Sequence, residues 1–142
     1  MSPHRLPGWT LPNGHVVRSQ AEMAIDAVLE AHHIDHRHWA IDFQVDVSPA
    51  SVRLFIPALV LDGVRDRDRT VLIQPVNALA AGGGLNRMRA FRQRYAGGYC
   101  LVAVTRLAWE RRVPPECYDR LFVLEDLRPL GDYLGKLSAT PV

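Results

Sequence analysis

The sequence predicts one α/β domain of three layers, in which a central mixed sheet of about four to five strands is flanked by helices. Three observations support this prediction. The chain has 142 residues, 48% of them hydrophobic and 23% charged, which is the size and composition of one globular domain. Apolar residues recur at helical spacing in some segments, and they alternate or run continuously, as in strands, in others. No repeat or linker divides the chain, so we predict an irregular N-terminal arm over residues 1–18 and one domain over residues 19–142.

The first regular element after the arm is a predicted helix. The arm itself is rich in the turn-forming residues Pro3, Pro7, Gly8, Pro12, Asn13 and Gly14. Ser19 followed by Glu22 matches a capping box, in which two side chains satisfy free N–H groups at a helix start. Apolar residues then recur at helical spacing at Ala21, Ile25, Val28 and Leu29. These features predict a helix over residues 20–33.

Three strands are predicted to follow this helix. Residues 39–47 alternate apolar and polar side chains, as a half-exposed strand does, and residues 51–61 and 70–76 are rich in branched apolar side chains. The pair Asp62-Gly63 predicts a sharp turn that leads into a polar tip at residues 65–69. Pro75 cannot donate a hydrogen bond within a sheet, so it predicts a bend in the third strand or a different register.

The second half of the chain predicts two more helices and two more strands. The glycines at 82–84 are expected to form a flexible connection, and apolar residues share one face of a helix over residues 85–96. The continuous apolar run at 99–105 indicates a strand buried on both faces. A loop around Pro114-Pro115, a strand at 120–125 and a helix from Leu130 complete the chain. The predicted order is α-β-β-β-α-β-β-α.

This order, together with an Ile-Pro pair that opens the second strand, resembles the PD-(D/E)xK nuclease-like family over about residues 18–106. The resemblance implies a restriction-endonuclease-like fold. In active members an acid from the first helix, the Asp after the Pro, and the Glu and Lys of the third strand surround Mg²⁺ and cut DNA or RNA. The matching positions in this chain are Glu22, Ala58, Gln74 and Val76.

Three of these four positions depart from the family's pattern. Mg²⁺ requires anionic oxygen ligands, and Ala58 offers none. Gln74 lacks the charge of a glutamate, and Val76 lacks the ammonium that steadies developing negative charge. We therefore expect no usual Mg²⁺ centre and no cofactor. The leading hypothesis is a catalytically degenerate protein that binds nucleic acid or scaffolds a nucleic-acid-processing complex.

Charge is distributed unevenly along the chain, although the formal net charge is only +2. Residues 83–112 hold seven arginines against one glutamate, and residues 19–46 hold six acids against one arginine. Four arginines on the second helix are the candidate nucleic-acid-binding residues: Arg87, Arg89, Arg92 and Arg94. The alternatives are a solvated helix face, or contact with the acidic first helix of another copy in a homodimer.

Two further functions stay open. The first is an active metal-dependent nuclease whose ligands have moved to acids drawn from Glu22, Asp26, Asp42 and Asp62, with Mg²⁺ as its cofactor. Against it, the stripe of Glu22, Asp26 and Glu30 is also what the solvated face of an amphipathic helix looks like. The second is a protein interaction module with no nucleic-acid role.

The histidines at 32–38 are the remaining candidates for metal ligands. His32 and His36 would share a face if the first helix continued, but no cysteine or carboxylate is placed in the sequence to complete a four-ligand site. We therefore predict no metal site there, since histidines also suit the end of a helix. No apolar run approaches the roughly 20 residues that span a bilayer, so no membrane association is expected and the predicted location is the cytoplasm.

Overall fold

A mixed sheet of five strands lies between helices on both of its faces in the computed structural model, which describes residues 8–79 and 84–139. The strands of this sheet, in chain order, are β3 (His36–His38), β6 (Leu59–Asp66), β7 (Arg69–Pro75), β8 (Tyr99–Thr105) and β9 (Arg120–Val123). They lie side by side in that same order. The first three are antiparallel, and β7, β8 and β9 are parallel. The α/β class and the mixed five-stranded sheet are as predicted.

Three helices and two small hairpins complete the fold. The helices are α1 (Gln20–Ala31), α2 (Gly84–Tyr95) and α3 (Arg128–Ala139), and two 3-10 helices follow β8 at Leu107–Arg112 and Pro115–Cys117. The hairpins are β1 (Trp9–Thr10) with β2 (Val16–Val17), and β4 (Phe43–Ser48) with β5 (Ser51–Phe55). None of the described helices has the length and apolar character needed to cross a membrane.

Each face of the sheet has its own apolar core. On one face, α1 and α3 contribute Ile25 and Leu130 to a cluster with Ile73 of β7. On the other, Phe91 of α2 packs with Phe43 of β4, with ring centroids 4.8 Å apart. The hairpin of β4 and β5 therefore covers α2 instead of extending the sheet.

The first strand of the sheet is not the one that the sequence predicted. Residues 39–47 alternate correctly, but their strand is β4, which pairs only with β5. The sheet begins instead with the short polar strand β3, paired with β6. Alternation of apolar and polar side chains indicates that a strand is half-buried, but it does not indicate which strand lies beside it.

The turn and the strand break on either side of β6 also differ from prediction. The predicted strand at 51–61 is interrupted at Ile56-Pro57. It forms two strands, β5 and β6, which belong to different sheets. Asp62-Gly63 lies within β6, and the reversal is at Arg67-Asp68, whose φ values are 51° and 65°. Two left-handed residues in a two-residue loop match the twist of a tight hairpin.

Pro75 is accommodated without a break in the third strand of the sheet. It is the last residue of β7 and pairs in register with Val104. The next residue, Val76, donates its N–H to the carbonyl of Val104 at 2.7 Å, so the nitrogen of Pro75 faces the opposite neighbour. On that side the pairing with β6 has already ended at Leu59 and Ile73, and no donor is needed.

Candidate functional site

Three of the positions that the sequence resemblance matched to the nuclease motif are linked by hydrogen bonds, with Trp39 between Glu22 and Ala58. Both carboxylate oxygens of Glu22 accept from the indole Nε1 of Trp39, at 3.2 and 3.0 Å. The backbone N–H of Trp39 donates to the carbonyl of Ala58 at 3.0 Å. The backbone N–H of Ala58 in turn donates to Oε1 of Gln74 at 2.9 Å. The structure therefore brings three of the four predicted positions together at one end of the sheet.

Among these positions only Glu22 has a carboxylate, and that carboxylate is already held by hydrogen bonds. Glu22 is fully buried, and it accepts hydrogen bonds from Trp39, His38 and the N–H of Arg18. The amide oxygen of Gln74 is held by Ala58, and its Nε2 donates to the carbonyl of Pro75. Val76 is buried in the core cluster beneath α2 and carries no charge.

A cleft of about 270 Å³ lies beside these positions, at the carboxyl ends of the parallel strands β7 and β8. Its walls are formed by the start of α1, the segment after β7 and the end of β8, and the lining includes Gln20, Val76, Asn77, Thr105 and Arg106. The hydroxyl of Thr105 is buried and has no hydrogen-bond partner among the described residues. In open α/β sheets, the carboxyl edge of the strands is where ligands bind.

The four candidate arginines of α2 are not equivalent. Arg92 donates to Asp119 at 3.0 Å and to the carbonyl of Glu116 at 3.2 Å, so it fastens α2 to the segment before β9. Arg94 donates to the carbonyl of Gln44 in β4. These two make contacts that hold the fold together. Arg89 donates to Oδ1 of Asn86 at 2.9 Å, and Arg87 forms no ion pair with the described residues.

A second cluster of polar side chains lies on the opposite side of Glu22, and three different segments build it. A turn at Asn13 and Gly14, where Gly14 has a φ of 88°, brings His15 back toward the helix. Asp26 lies one turn after Glu22 on the same face of α1. His36 and His38 alternate along β3, and therefore lie on one face of that strand.

The three imidazoles converge on a single oxygen atom. Oδ1 of Asp26 lies 2.8 Å from Nδ1 of His15, 2.6 Å from Nε2 of His36 and 2.8 Å from Nε2 of His38. The other oxygen, Oδ2, accepts from Nδ2 of Asn13 at 2.9 Å. One ligand atom from each of the four residues lies within 4.8 Å of the other three. We call His15, Asp26, His36 and His38 the His/Asp cluster.

No family model matches this chain, and neither the curated proteins nor the solved structures contain a significant match. The chemistry of the two sites is therefore the basis for a functional proposal.

The His/Asp cluster is buried and strongly polarised. The side chains of Asp26, His36 and His38 are 3%, 1% and 6% exposed, whereas that of His15 is 30% exposed. Burial by itself would raise the pKa of Asp26, but its contacts with the three histidines and with Asn13 hold that pKa far below its usual range. Burial would lower the pKa of His38, and contacts with Glu22 and Asp26 raise it instead.

Two interpretations of the sequence are wrong in this region. The stripe of acids on α1 does not face solvent, because Glu22 and Asp26 are 0% and 2% exposed and only Glu30 lies at the surface. The carboxylate that seemed absent near the histidines is Asp26, ten residues before His36. Helix α1 ends at Ala31, so His32 is not paired with His36. A sequence signal did exist: two acids four apart on a helix, followed by His-x-His on a strand.

The other acids proposed as relocated ligands lie elsewhere. Asp42 is exposed in the segment before β4. Asp62 lies on β6 and is held by Arg37 through paired hydrogen bonds of 2.9 to 3.2 Å. Only Glu22 and Asp26 share a cluster, and His38 lies between them.

Proposed function

We propose that this chain is a nuclease-like α/β domain that binds nucleic acid without cleaving it. The observation that carries the proposal is the contact between Ala58 and Gln74. It supports a motif whose geometry persists although two of its three carboxylates, at Ala58 and Gln74, are absent. The strand order supports the same proposal, because a helix, three antiparallel strands of the sheet, a helix and a parallel strand occur in the order of that family, with the β4–β5 hairpin inserted after β3.

Charge at the carboxyl edge of the sheet supports an anionic partner. Arg106, Arg111 and Arg112 are exposed at the end of β8 and in the 3-10 helix that follows it. Arg87 lies in the first turns of α2, which begins after β7 has ended at that edge. Arginine forks match phosphate oxygens in pairs, and such contacts bind the backbone of nucleic acid without reading its sequence.

Cleavage by the usual mechanism is not expected from these side chains. Hydrolysis in this family depends on Mg²⁺, which orients water and neutralises charge on the phosphate. Ala58, Gln74 and Val76 provide neither the anionic ligands nor the cation that this chemistry requires. Binding and cutting are therefore expected to be separate properties of this chain.

The test is fluorescence anisotropy with labelled duplex and single-stranded DNA and RNA in Mg²⁺, followed by a gel of the same samples. We expect binding that weakens steeply with salt, and intact nucleic acid. Replacing both Arg106→Ala and Arg111→Ala should lower the salt slope by about one to two phosphate contacts. Arg128→Ala, which removes an exposed arginine on α3, is the matched control.

Three results would contradict the proposal. Cutting that disappears in Glu22→Gln would mean that a metal centre survives. An absence of binding at low salt would instead favour a protein interaction module. A loss of binding free energy in Arg128→Ala of half or more of that in the double variant would mean that only the total charge matters, because the control removes one charge and the double variant removes two.

A further inference from the structure

We propose that His15, Asp26, His36 and His38 form a zinc site that fastens the N-terminal arm to α1 and β3. The proposal is independent of nucleic-acid binding, and it concerns a cluster outside the motif-related positions. The argument begins with where the hydrogen atoms of the histidines must be.

The ring nitrogens of His36 have settled roles. Its Nδ1 lies 2.8 Å from the carbonyl oxygen of Ile34. A carbonyl oxygen only accepts hydrogen bonds, so Nδ1 carries the proton. In a neutral ring Nε2 then presents a lone pair, and this lone pair points at Oδ1 of Asp26 from 2.6 Å.

The same reasoning applies to His38. Its Nδ1 contacts Oε2 of Glu22, a carboxylate that already accepts from Trp39 and from the N–H of Arg18. Nδ1 is therefore the donor, and Nε2 of a neutral ring presents its lone pair to Oδ1 of Asp26 at 2.8 Å. Two nitrogen lone pairs and one carboxylate oxygen thus face a common point.

Two arrangements would place positive charge at that point. Either both rings carry a second proton, or one metal ion binds the lone pairs directly. Zinc fits the second arrangement, because it prefers four ligands of the imidazole and carboxylate type in a tetrahedron. Bonds of about 2.0–2.2 Å place such ligand atoms roughly 3.4 Å apart. The contacts of 2.6–2.8 Å to Oδ1 would therefore lengthen by over half an ångström, and ligand atoms that lie up to 4.8 Å apart would approach one another.

The surroundings are those of a metal centre. Histidine ligands in such centres donate their second ring nitrogen to a carboxylate or a backbone carbonyl, which fixes the tautomer and the orientation of the ring. Glu22 does this for His38, and the carbonyl of Ile34 does it for His36. Asn13 holds the second oxygen of Asp26. Glu22 is therefore a positioning residue, and its burial has a physical reason.

Backbone strain lies next to the cluster. Trp39 follows β3 with a φ of 53°, a conformation that a bulky side chain rarely adopts. In that conformation its indole reaches Glu22 while its N–H reaches the carbonyl of Ala58. Strain of this kind persists only where the surrounding contacts overdetermine it.

The site is closed, which indicates a structural role. All four positions of the tetrahedron are occupied by side chains, and catalytic zinc sites leave one position for water. His15 is the only ligand from the arm, so the metal would join residues 8–18 to the domain.

The test titrates the full chain, stripped of metal, with Zn²⁺ in competition with a chromophoric chelator. We expect about one zinc ion per chain. Co²⁺ as a substitute should give the intense visible absorption of a tetrahedral complex. An uptake well below one ion, or a weak octahedral cobalt spectrum, would overturn the proposal and leave the protonated arrangement.

Two variants and one control assign the ligands. His15→Ala alters the most exposed ligand, which lies in a surface turn, and should leave the fold intact by circular dichroism. We expect zinc affinity to fall by more than about tenfold in His15→Ala and in Asp26→Asn. The control is His33→Asn, an exposed histidine beside the same cluster, where asparagine tolerates the positive φ of 55°. Equal affinity in wild type and His15→Ala, or a loss in His33→Asn, would overturn the assignment.

Discussion

A buried carboxylate and a partly buried one, on opposite edges of the sheet, are each surrounded by basic side chains, and the difference between their partners separates their roles. Asp26, beside β3, meets three imidazoles. Asp119, before β9, accepts from Arg92 at 3.0 Å, from Arg69 at 3.2 Å and from the N–H of Leu101 at 2.7 Å. Both carboxylates have a lowered pKa.

The partners of Asp119 are permanent donors. A guanidinium has no lone pair and keeps its charge, so the Asp119 cluster is a complete ion pair network with no place for a metal. Imidazoles can present lone pairs, and those around Asp26 do so whenever they are neutral. Charge and burial alone would not distinguish the two clusters. The chemistry of the atoms that face the carboxylate does.

The largest expected difference between the His/Asp cluster and the Asp119 cluster is in how zinc changes the free energy of unfolding. At a zinc concentration of 100 times the dissociation constant, binding should raise the free energy of unfolding by about 2.7 kcal/mol, because only the folded chain assembles the site. Urea unfolding with zinc or with chelator measures this. Asp119→Asn should retain the difference, and Asp26→Asn should lose it. A zinc effect of equal size in both variants would mean that the metal acts elsewhere.

Removal of the carboxylate from the arginine cluster is expected to come second. Asp119→Ala leaves Arg69 and Arg92 without a counter-charge and the N–H of Leu101 without an acceptor. Because both arginine side chains are 21–25% exposed, we expect a loss of about 2 kcal/mol, below that of a fully buried pair. Urea unfolding in the presence of chelator measures it. If zinc restored the stability lost in Asp119→Ala, the Asp119 cluster would also respond to metal, and the contrast between the two clusters would be wrong.

The dependence of stability on pH tests whether the Asp119 carboxylate stabilises the fold through its ion pairs. Burial would raise its pKa, but the hydrogen bonds from Leu101 and the arginines hold it below the usual value. Such a group stabilises the fold above its unfolded pKa of about 3.9, and this stabilisation is lost as the pH falls toward the folded pKa. The stability difference between wild type and Asp119→Asn should therefore be constant above about pH 5 and shrink below it. Chelator keeps the His/Asp cluster metal-free in this series.

The smallest effect is expected at an exposed pair. Arg37 and Asp62 are 52% and 41% exposed, although their hydrogen bonds are well formed. Water and salt screen such pairs, so Asp62→Ala should leave the urea midpoint unchanged within error. Asp62 faces the same cleft as His15, but its carboxylate is held by Arg37, so the variant should leave zinc affinity unchanged. A fall in zinc affinity would make Asp62 part of the His/Asp cluster. A fall in the urea midpoint would mean that the exposed ion pair does stabilise the fold.

The sequence predicted the elements whose apolar periodicity is strong. It missed those whose burial depends on contacts with residues of other elements. The strand at 99–105 is correct to the residue, and α2 and β7 are shifted by one, because apolar runs and stripes reflect burial directly. The strand β3 was missed because its sequence is His-Arg-His, and nothing apolar marks it. Its burial depends on Asp26 and Glu22 in another element. The flexible connection predicted at Gly82 and Gly83 lies outside the described residues.

The candidate sites were predictable to a similar extent. The positions Glu22, Ala58 and Gln74 do come together, since they follow from element order. Two of the four arginines on α2 are bound to other parts of the fold, which composition could not reveal. Spacing within a helix indicated that Glu22 and Asp26 share a face, but only packing shows that this face is covered.

The hydrogen bond from Ala58 to Gln74 also bears on how the chain can change over generations. A glutamate has the same length as a glutamine, and its carboxylate could accept from the same N–H. One nucleotide change converts a glutamine codon into a glutamate codon. This end of the sheet is therefore a single mutation away from gaining one acid at position 74, and the backbone around it need not be rebuilt.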